Sequence, residues 1–244
     1  MLSLWAKTSG TWINVLTVIV GTGLGLLLRN RLPQTMQQII VQALGLLTLV
    51  IGFSMAGSLF EVQVGAADGV ILALLAMVAG GILGEWWQLE KRLNQLGDSL
   101  KARVKGEGRF TEGFVATSLL FCIGPMTIIG SINNGLMGDA TLLTLKATMD
   151  GLASIAFAGG YGIGVGFSAL TILVVQGGIS LLASLFTGFI DDPTTDPTIL
   201  LLTGIGGLMI FGIGFGLLEV VKIRIASFLP ALLLAPLLIA LASF

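Results

Sequence analysis

Two neighbouring apolar segments, over residues 114 to 158, contain most of the polar residues that interrupt apolar sequence in this chain. These residues are Gly124, Pro125, Asn133, Asn134, Lys146 and Asp150. Lys146 and Asp150 are one helical turn apart, so on a helix they share a face and can form an ion pair. An ammonium and a carboxylate in such a setting can bind an ion, exchange a proton or tie helices together. We expect any function of the chain to lie here.

The composition indicates that this chemistry takes place in a membrane. Of the 244 residues, 55% are hydrophobic and only 10% are charged, and the mean hydropathy is +1.01. The apolar stretches have the length of about 17 to 25 residues with which an α-helix crosses a bilayer, whereas barrel strands alternate over about ten residues. The prediction is an all-α, polytopic integral membrane protein.

Several classes of function are excluded by what the chain lacks. It has no histidine, the usual general base and a common metal ligand, and no nucleophile–base pair is visible. We therefore predict that it is not an enzyme and uses no cofactor or metal. The single cysteine, Cys122, cannot form an internal disulfide and is expected to act as a small hydrophobic residue. A net charge of −1 offers nucleic acid no basic surface.

Eight membrane spans are predicted in one membrane domain covering residues 1 to 244. The first three helices occupy 12 to 84, a cytoplasmic amphipathic linker occupies 86 to 111, and the last five helices occupy 114 to 244. The predicted spans lie at about 12–28, 37–59, 69–84, 114–137, 141–160, 161–190, 199–219 and 226–244. Within the linker, residues 86 to 104 show apolar residues at three- and four-residue steps, which favours a helix in the membrane interface over one that docks on a partner.

Prolines predict irregular helices in two of the spans. Pro125, near the middle of the fourth span, removes a backbone donor and clashes with the carbonyl group of Phe121, so a kink or break is expected there. Irregular backbone at membrane depth is tolerated only where protein or a water-filled cavity satisfies it. Pro230 and Pro236 predict a kinked or interrupted last helix.

The distribution of Lys and Arg predicts the orientation. With eight spans, the turns after the first, third, fifth and seventh carry nearly all the basic residues, whereas the opposite turns are acidic. Because basic loops face the cytoplasm, both termini are expected outside, with Lys7 as the one basic residue on that side. The first helix is expected to direct insertion, since no cleavable signal peptide is apparent.

Depth separates the roles predicted for the charged pair. Counting from Thr141 at 1.5 Å per residue, Lys146 lies roughly 8 Å and Asp150 roughly 14 Å into the fifth span. A charge at a helix centre costs about 2.5 to 3.5 kcal/mol on insertion scales, so such residues normally face a bundle interior or a water-filled cavity. We predict that Asp150 responds to protons or cations and that Lys146 is its partner or an anion contact. A purely structural ion pair is the alternative.

Four further residues complete the predicted pathway. Asn133 and Asn134, near the outer end of the fourth span, are either an outer solute contact or a helix stop. Asn14, in the first span, is expected to make an interhelical hydrogen bond or to contact solute. Gln176 is the polar residue within the sixth span.

Two pairs of segments suggest an internal repeat. GLLTLVIGF at 45 to 53 resembles GLMIFGIGF at 207 to 215, and LTVIV at 16 to 20 resembles LTILV at 170 to 174. Spans one and two would then match spans six and seven in reversed orientation, an arrangement that recurs in secondary transporters. The alternative is chance similarity between apolar segments of simple composition.

Longer motifs connect the chain to a known family. They are GTWINVLTVIVGTGLGLLL near the N-terminus, GLLTLVIGF, SLLFCIGPMTIIGSINNGLMGD at 118 to 139, and LKATMDGLASIAFAGGYGIGVGFSAL at 145 to 170. On these motifs the chain resembles the bacterial membrane-protein family called domain of unknown function 554. The resemblance implies a polytopic protein of the cytoplasmic membrane, often described as a possible transport protein. It implies no substrate and transfers no functional residue.

Two hypotheses follow for the function. The first is a transporter or channel for an unknown small solute or ion, with a pathway lined by the broken fourth span and the Lys146/Asp150 pair. The second is a scaffold or assembly factor that binds other membrane proteins through glycine-rich faces, since the chain has 35 glycines. The expected partners are the lipid bilayer and the solute, and not nucleic acid. Glycine-rich faces on spans one and six leave a homo-oligomer open.

Overall fold

The computed structural model describes residues 3–29, 33–65, 67–106, 108–183 and 196–242. These residues form ten α-helices: α1 (Leu4–Arg29), α2 (Gln34–Ala56), α3 (Gly69–Trp86), α4 (Leu89–Arg103), α5 (Phe110–Cys122), α6 (Pro125–Met137), α7 (Thr141–Tyr161), α8 (Ser168–Leu182), α9 (Pro197–Leu217) and α10 (Leu229–Ala242). Short 3₁₀ turns follow α2 and α7 and precede α10, over Gly57–Glu61, Gly162–Phe167 and Ile225–Phe228.

The helices confirm the predicted all-α membrane class. In the described part of the chain, six helical stretches are long and apolar enough to cross a membrane, or up to seven if the bent pair α5 and α6 counts as one span. The predicted number of eight is not reached by length and apolarity alone and stays a prediction. Residues 184–190 of the predicted sixth span, the acidic turn at 191–195, and Asn30 and Arg31 lie outside the described residues.

The continuous helical stretch Thr141–Leu182 contains two helices that run in opposite directions along α1. Near the start of α1, Gly10 lies against Leu143 near the start of α7, and the end of α1 lies against the end of α7. Against α8 the order is reversed. Thr11 lies beside Gly177, near the end of α8, whereas the end of α1 contacts the 3₁₀ turn that precedes α8. The chain therefore folds back on itself at this turn.

Residue contacts divide the chain into two units. The first contains Met1–Ala43 and Asn94–Ile190, and the second contains Leu44–Leu93 and Asp191–Phe244. Helices α2 and α4 each pass from one unit into the other. The first unit contains every residue of the predicted pathway.

In the first unit, α1 packs along α7 through glycines. A Cβ at Gly21 would lie 2.2 Å from the carbonyl oxygen of Gly151, and one at Gly25 would lie 2.3 Å from that of Ile155. Small residues allow this approach of two backbones, on which helix association in lipid depends. The α1–α7 contact brings together two helices that are more than a hundred residues apart in the chain.

In the second unit, α3 packs against α10 and the turn before it. Here a Cβ at Gly84 would lie 1.9 Å from the carbonyl oxygen of Ser227. Arg224 forms an ion pair with Glu85 at the end of α3. An antiparallel β-hairpin precedes α3, and each of its strands, β1 (Gln63–Val64) and β2 (Ala67–Asp68), has two residues. The Asp68 side chain caps α3 by accepting a hydrogen bond of 2.8 Å from the amide of Val70. The sequence did not lead us to expect this hairpin.

Two helices differ from expectation in detail. Helix α1 begins at Leu4 rather than near residue 12, because the hydroxyl of Ser3 accepts a hydrogen bond of 3.2 Å from the amide of Ala6 at its start. Helix α10 runs through Pro236, and Pro230 stands in its first turn, where a missing amide hydrogen does no harm. The irregularity of the last span lies in the 3₁₀ turn before α10.

The amphipathic segment forms α4, which begins after Gln88, a residue with φ of 53°. In its second half, Gly97 is buried against Thr111 and Phe114 of α5. The Thr111 hydroxyl donates a hydrogen bond of 2.6 Å to Asp98. This half of α4 thus packs on its own unit, and its location in the membrane interface stays a prediction.

Candidate functional site

The segment predicted as the fourth span is broken at the predicted position. Helix α5 ends at Cys122, α6 begins at Pro125, and the two helices are bent by 61°. Gly124, between them, has φ of 153° and ψ of 156°, a conformation that residues with a Cβ rarely adopt. Pro125 is tolerated because it is the first residue of α6, where no intrahelical donor is needed.

The break is stabilised by neighbouring protein groups. The buried hydroxyl of Thr127 donates a hydrogen bond of 3.2 Å to the carbonyl oxygen of Phe121, the group that proline would otherwise leave unserved. The amide of Thr127 donates to the carbonyl oxygen of Gly124 at 3.1 Å. The carbonyl groups of Phe121 and Gly124 are thus satisfied inside the protein, as membrane depth requires.

Lys146 and Asp150 form the ion pair that their spacing predicts. The Lys146 ammonium donates to the Oδ2 atom of Asp150, and each residue exposes only 7% of its surface. Asn14 of α1 donates to the same carboxylate oxygen through Nδ2 at 2.9 Å. The ring centre of Phe121, at the end of α5, lies 5.8 Å from the Lys146 nitrogen. The pair is therefore joined to α1 and lies beside the broken span.

Asn134 is an interhelical tie rather than a helix stop. Its Oδ1 atom accepts from the amide of Gly10 at 3.1 Å, and its Nδ2 atom donates to Ala6 and Ser9 of α1 at 3.0 and 3.1 Å. Helix α6 continues to Met137 and is capped by Gly138, so the expectation of a helix stop at Asn133 and Asn134 is wrong. Asn133, on another side of α6, is half-buried. Their role as solute contacts stays a prediction.

Gln176 of α8 is fully buried, and neither polar atom of its side chain has a hydrogen-bond partner among the described residues. The Oδ1 atom of Asn14 is likewise buried without a hydrogen-bond partner among the described residues. Four hydroxyl groups that the sequence analysis missed, those of Thr11, Thr22, Ser131 and Ser180, are also buried without a partner among the described residues. Helical spacing was the available signal, since Thr11 precedes Asn14 by three positions and Ser180 follows Gln176 by four.

A groove of about 590 Å³ runs between the first half of α1 and the second half of α8. Trp5 and Trp12, stacked with their ring centres 6.4 Å apart, line one wall, and Gly177 and Gly178 line the other. Thr11 also lines this groove. The groove therefore lies beside one of the residues with a buried hydroxyl group, although Thr11 itself is fully buried.

The turn between α6 and α7 carries a perturbed carboxyl group outside the helices. The hydroxyl and the amide of Thr141 donate hydrogen bonds to Asp139, at 2.6 and 2.9 Å, and lower the pKa of this carboxyl group. The part of the chain that the structure describes contains no group of three or more His, Cys, Asp or Glu residues that could hold a metal ion.

Comparison with known proteins identifies the family. The model of the family described as "Protein of unknown function (DUF554)" matches residues 9–240. The chain belongs to this family. It is 30% identical over 230 residues to the uncharacterized membrane protein YdfK of Bacillus subtilis, covering 94% of this chain and 95% of that protein. It is 29% identical over 233 residues to the uncharacterized protein YqgA of Escherichia coli, covering 93% and 94%. No solved structure matches the chain.

Membership of this family confirms the resemblance seen in the sequence motifs. It also agrees with the apolar helices of the structure in describing a membrane protein, since YdfK is called one. The family description and the names of both relatives specify no activity. A functional assignment therefore has to come from the site itself.

Proposed function

We propose that the protein is a transporter or channel for a small solute or an ion in the bacterial cytoplasmic membrane. Its pathway would pass the break at Gly124–Pro125 and the Lys146/Asp150 pair, with Asn14 and Gln176 beside them. The observation that carries the proposal is the ion pair, which is almost fully buried and contacts both α1 and the end of α5. Asn133 and Asn134 would form the outer approach.

Stability alone gives little reason for this pair. Removing two charges from water costs several kcal/mol per ion, and well-packed hydrophobic residues of similar volume are often as stable or more so. Charged residues within membrane spans commonly mark ion and solute pathways. A broken helix near the same depth, as in many transporters, supports the same interpretation.

The packing of α1 against α8 supports the proposed inverted repeat. In the matched segments LTVIV and LTILV, Val18 corresponds to Ile172, and both residues are fully buried in one hydrophobic cluster. The two helices run in opposite directions, as an inverted repeat requires. The repeat and the orientation with basic loops in the cytoplasm both belong to the proposal.

Flux measurements test the proposal. The purified protein is reconstituted in liposomes and assayed with a panel of ions and small metabolites. We expect Asp150→Asn and Lys146→Ala to abolish flux. Glu112→Gln, which removes an exposed ion pair with Arg109 in the same unit, serves as the matched control and should retain it. Unchanged flux in the Asp150→Asn and Lys146→Ala variants would show that the pathway lies elsewhere.

A scaffold or assembly factor is the second candidate, and the direct contact between the Lys146 ammonium and Asp150 favours it. A closed ion pair is also what a structural tie between helices requires. Gly23 and Gly178 are open to their surroundings, with nothing within 4 Å of an added Cβ, and they could contact other membrane proteins. Absence of flux for every tested solute, together with lower thermal stability in Asp150→Asn, would support this candidate.

A further inference from the structure

We propose that α1, α6 and α8 form a binding site for a monovalent metal cation of about the size of Na⁺. The ligands are the side-chain oxygen atoms of Thr11, Asn14, Ser131 and Gln176. This inference rests on the proposed transport function, because it names the class of ion that the pathway would carry or use for coupling.

The Thr11 and Ser131 hydroxyl groups lack a bond that several other buried hydroxyl groups of the same unit make. The Thr117 and Ser154 side chains donate to backbone carbonyl oxygens of their own helices, at 2.7 Å each. Neither Thr11 nor Ser131 makes such a bond, and neither has another partner among the described residues. Buried polar groups are nearly always satisfied in proteins. The oxygen atoms of both side chains are therefore available to an outside ligand, as are those of Thr22 and Ser180.

Contacts between helices place the four residues at one level. Thr11 lies against Gly177, with its Cγ2 atom 3.7 Å from the position of an added Cβ, so the neighbouring Gln176 stands at the height of Thr11. Asn14 is less than one turn further along α1. All four residues, including Ser131, are completely inaccessible to solvent.

Helix α6 reaches the same level. A Cβ at Gly135 would lie 2.0 Å from the carbonyl oxygen of Ser180 in α8. A site residue lies about one helical turn before each of these two residues. Ser131 is four positions before Gly135, and Gln176 is four positions before Ser180. Asn134 of α6 bonds Ala6 and Gly10, whereas Gly130 lies against Leu143, which packs on Gly10. Helix α6 therefore runs against α1, as α8 does, and Ser131 stands at about the height of Gln176.

The chemistry of the ligand set favours a cation. Asn14 donates its Nδ2 group to Asp150, so its Oδ1 atom is left with lone pairs only and must accept from, or coordinate, its ligand. The amide and hydroxyl oxygens of the other three residues are hard, neutral ligands. Calcium sites usually add carboxylates, whereas the nearby Asp150 carboxylate is already balanced by Lys146. A single positive charge fits this arrangement best.

Two features connect the site to the pathway. The groove between α1 and α8 lies beside the site, since Thr11 and Gly177 line it, and we expect a cation to approach from this side. The amide of Asn14 joins the site to the ion pair, because a cation on Oδ1 polarises the amide and strengthens the hydrogen bond from Nδ2 to Asp150. A bound cation would thus change the hydrogen bonding of Asp150 and, through it, the ion pair with Lys146.

Binding of Na⁺ alone tests the inference without any transport assay. The detergent-purified full chain is kept in choline chloride, which is replaced by NaCl or KCl at constant ionic strength. We expect a saturable rise in melting temperature and saturable binding of radioactive sodium with NaCl, and a weaker effect with KCl. Gln176→Leu and Ser131→Ala should each weaken apparent Na⁺ affinity at least tenfold.

Thr22→Val is the matched control, because Thr22 is also a buried hydroxyl group of α1 without a partner among the described residues, but it lies near Gly166 at the other end of the helix. It should keep full Na⁺ affinity. If Gln176→Leu does not fold, Ser131→Ala decides the question, since it removes only one oxygen atom. Equal effects of choline, K⁺ and Na⁺, or undiminished Na⁺ affinity in the folded site variants, would overturn the inference.

The binding and flux assays test the cation site and the transport proposal independently. Flux that depends on Asp150 without specific Na⁺ binding would remove the cation site and leave the transport proposal standing. Specific Na⁺ binding that is lost in Ser131→Ala, without flux of any solute, would leave the site standing and remove transport.

Discussion

One carboxylate oxygen, Oδ2 of Asp150, accepts hydrogen bonds from both Lys146 and Asn14. The first donor comes from its own helix and the second from α1. Asp150 is therefore the residue at which local helix geometry and long-range packing meet. Substitutions at Asp150 and Lys146 can therefore separate the contribution of the ion pair to stability from its contribution to function.

Loss of one member of the pair should cost more stability than loss of both. Lys146→Met leaves the Asp150 carboxylate buried without its counter-charge, and breaking such a pair costs about 3 to 5 kcal/mol. In the double variant Lys146→Met/Asp150→Asn both charges are gone, and Asn14 keeps an acceptor. We expect its free energy of unfolding to lie within about 1 kcal/mol of the wild type. Equilibrium unfolding in detergent measures these differences.

The same double variant also separates function from structure. If the pair conducts, the stable double variant should lack flux. A double variant that transports normally would show that Lys146 and Asp150 only tie helices together.

Asp139 predicts a small dependence of stability on acid pH. Because Thr141 holds the pKa of this carboxyl group below its ordinary value, ionised Asp139 stabilises the folded state above the unfolded-state pKa of about 3.9. This contribution is lost as pH falls through the lower pKa of the folded state. Thr141→Val removes the larger of the two hydrogen-bond effects and should raise the pKa of Asp139, as carboxyl NMR titration would show. Thr144→Val, an exposed threonine of the same helix, should leave it unchanged.

At the scale of residues, the sequence predicts what depends on local spacing. Lys146 and Asp150 pair because they are one helical turn apart, and the break follows from the chemistry of Gly124 and Pro125. The grouping of Thr11 with Ser131 could not be predicted, because it depends on the register between α1, α6 and α8. A lone serine or threonine in an apolar span usually bonds its own backbone, so neither residue stood out.

At the scale of helices, α1 is the element on which the site depends, and its glycines fix its distance from α7. Gly21→Ala should destabilise the protein, because its Cβ would lie 2.2 Å from the carbonyl oxygen of Gly151 and force the helices apart. Flux should fall as well, since Asn14 would move away from Asp150. Gly23→Ala is the matched control two positions away. Nothing lies within 4 Å of its Cβ, and alanine is the better helix former by about 1 kcal/mol.

Gly21→Ala should therefore lower both the melting temperature and the flux. Gly23→Ala should lower neither. Equal melting temperatures for Gly21→Ala and Gly23→Ala would contradict the close α1–α7 contact.

The groove between α1 and α8 predicts a substitution that affects access without affecting stability. Gly178 lines the groove and has open space around an added Cβ, so Gly178→Leu should fold normally and fill part of the groove. We expect slower Na⁺ binding and slower flux. Gly216→Leu, at an equally open glycine of α9, controls for the added bulk and should behave as the wild type in stopped-flow and flux measurements.

At the scale of the whole molecule, the orientation in the membrane is open to direct measurement. Cys122 is the single cysteine, so Cys122→Ala gives a background for new single cysteines. We expect a membrane-impermeant maleimide, added to intact cells, to label Asp139→Cys at the exposed turn before α7. It should label Ala102→Cys, exposed on α4, only after the cells are opened. The reverse pattern would invert the proposed orientation.

Composition and the length of apolar stretches were sufficient to predict the membrane class, since both depend on the sum over many residues. The division into two units was not predictable. It depends on contacts such as Gly21 with Gly151, which join segments far apart in the chain, and hydropathy contains no information about which spans meet. The apolar stretch Thr141–Leu182 shows the same limit, because only its contacts with α1 reveal that it reverses direction.

The hydrogen bond between Asn14 and Asp150 also has a consequence for biogenesis. The two residues are 136 positions apart. At about 5 to 20 residues per second of synthesis, α7 leaves the ribosome roughly 7 to 27 s after α1. During that interval α1 has inserted with a polar amide that lacks its final acceptor. Until α7 is made, the Asn14 amide has to find a temporary partner, because an unpaired polar group in hydrocarbon costs several kcal/mol.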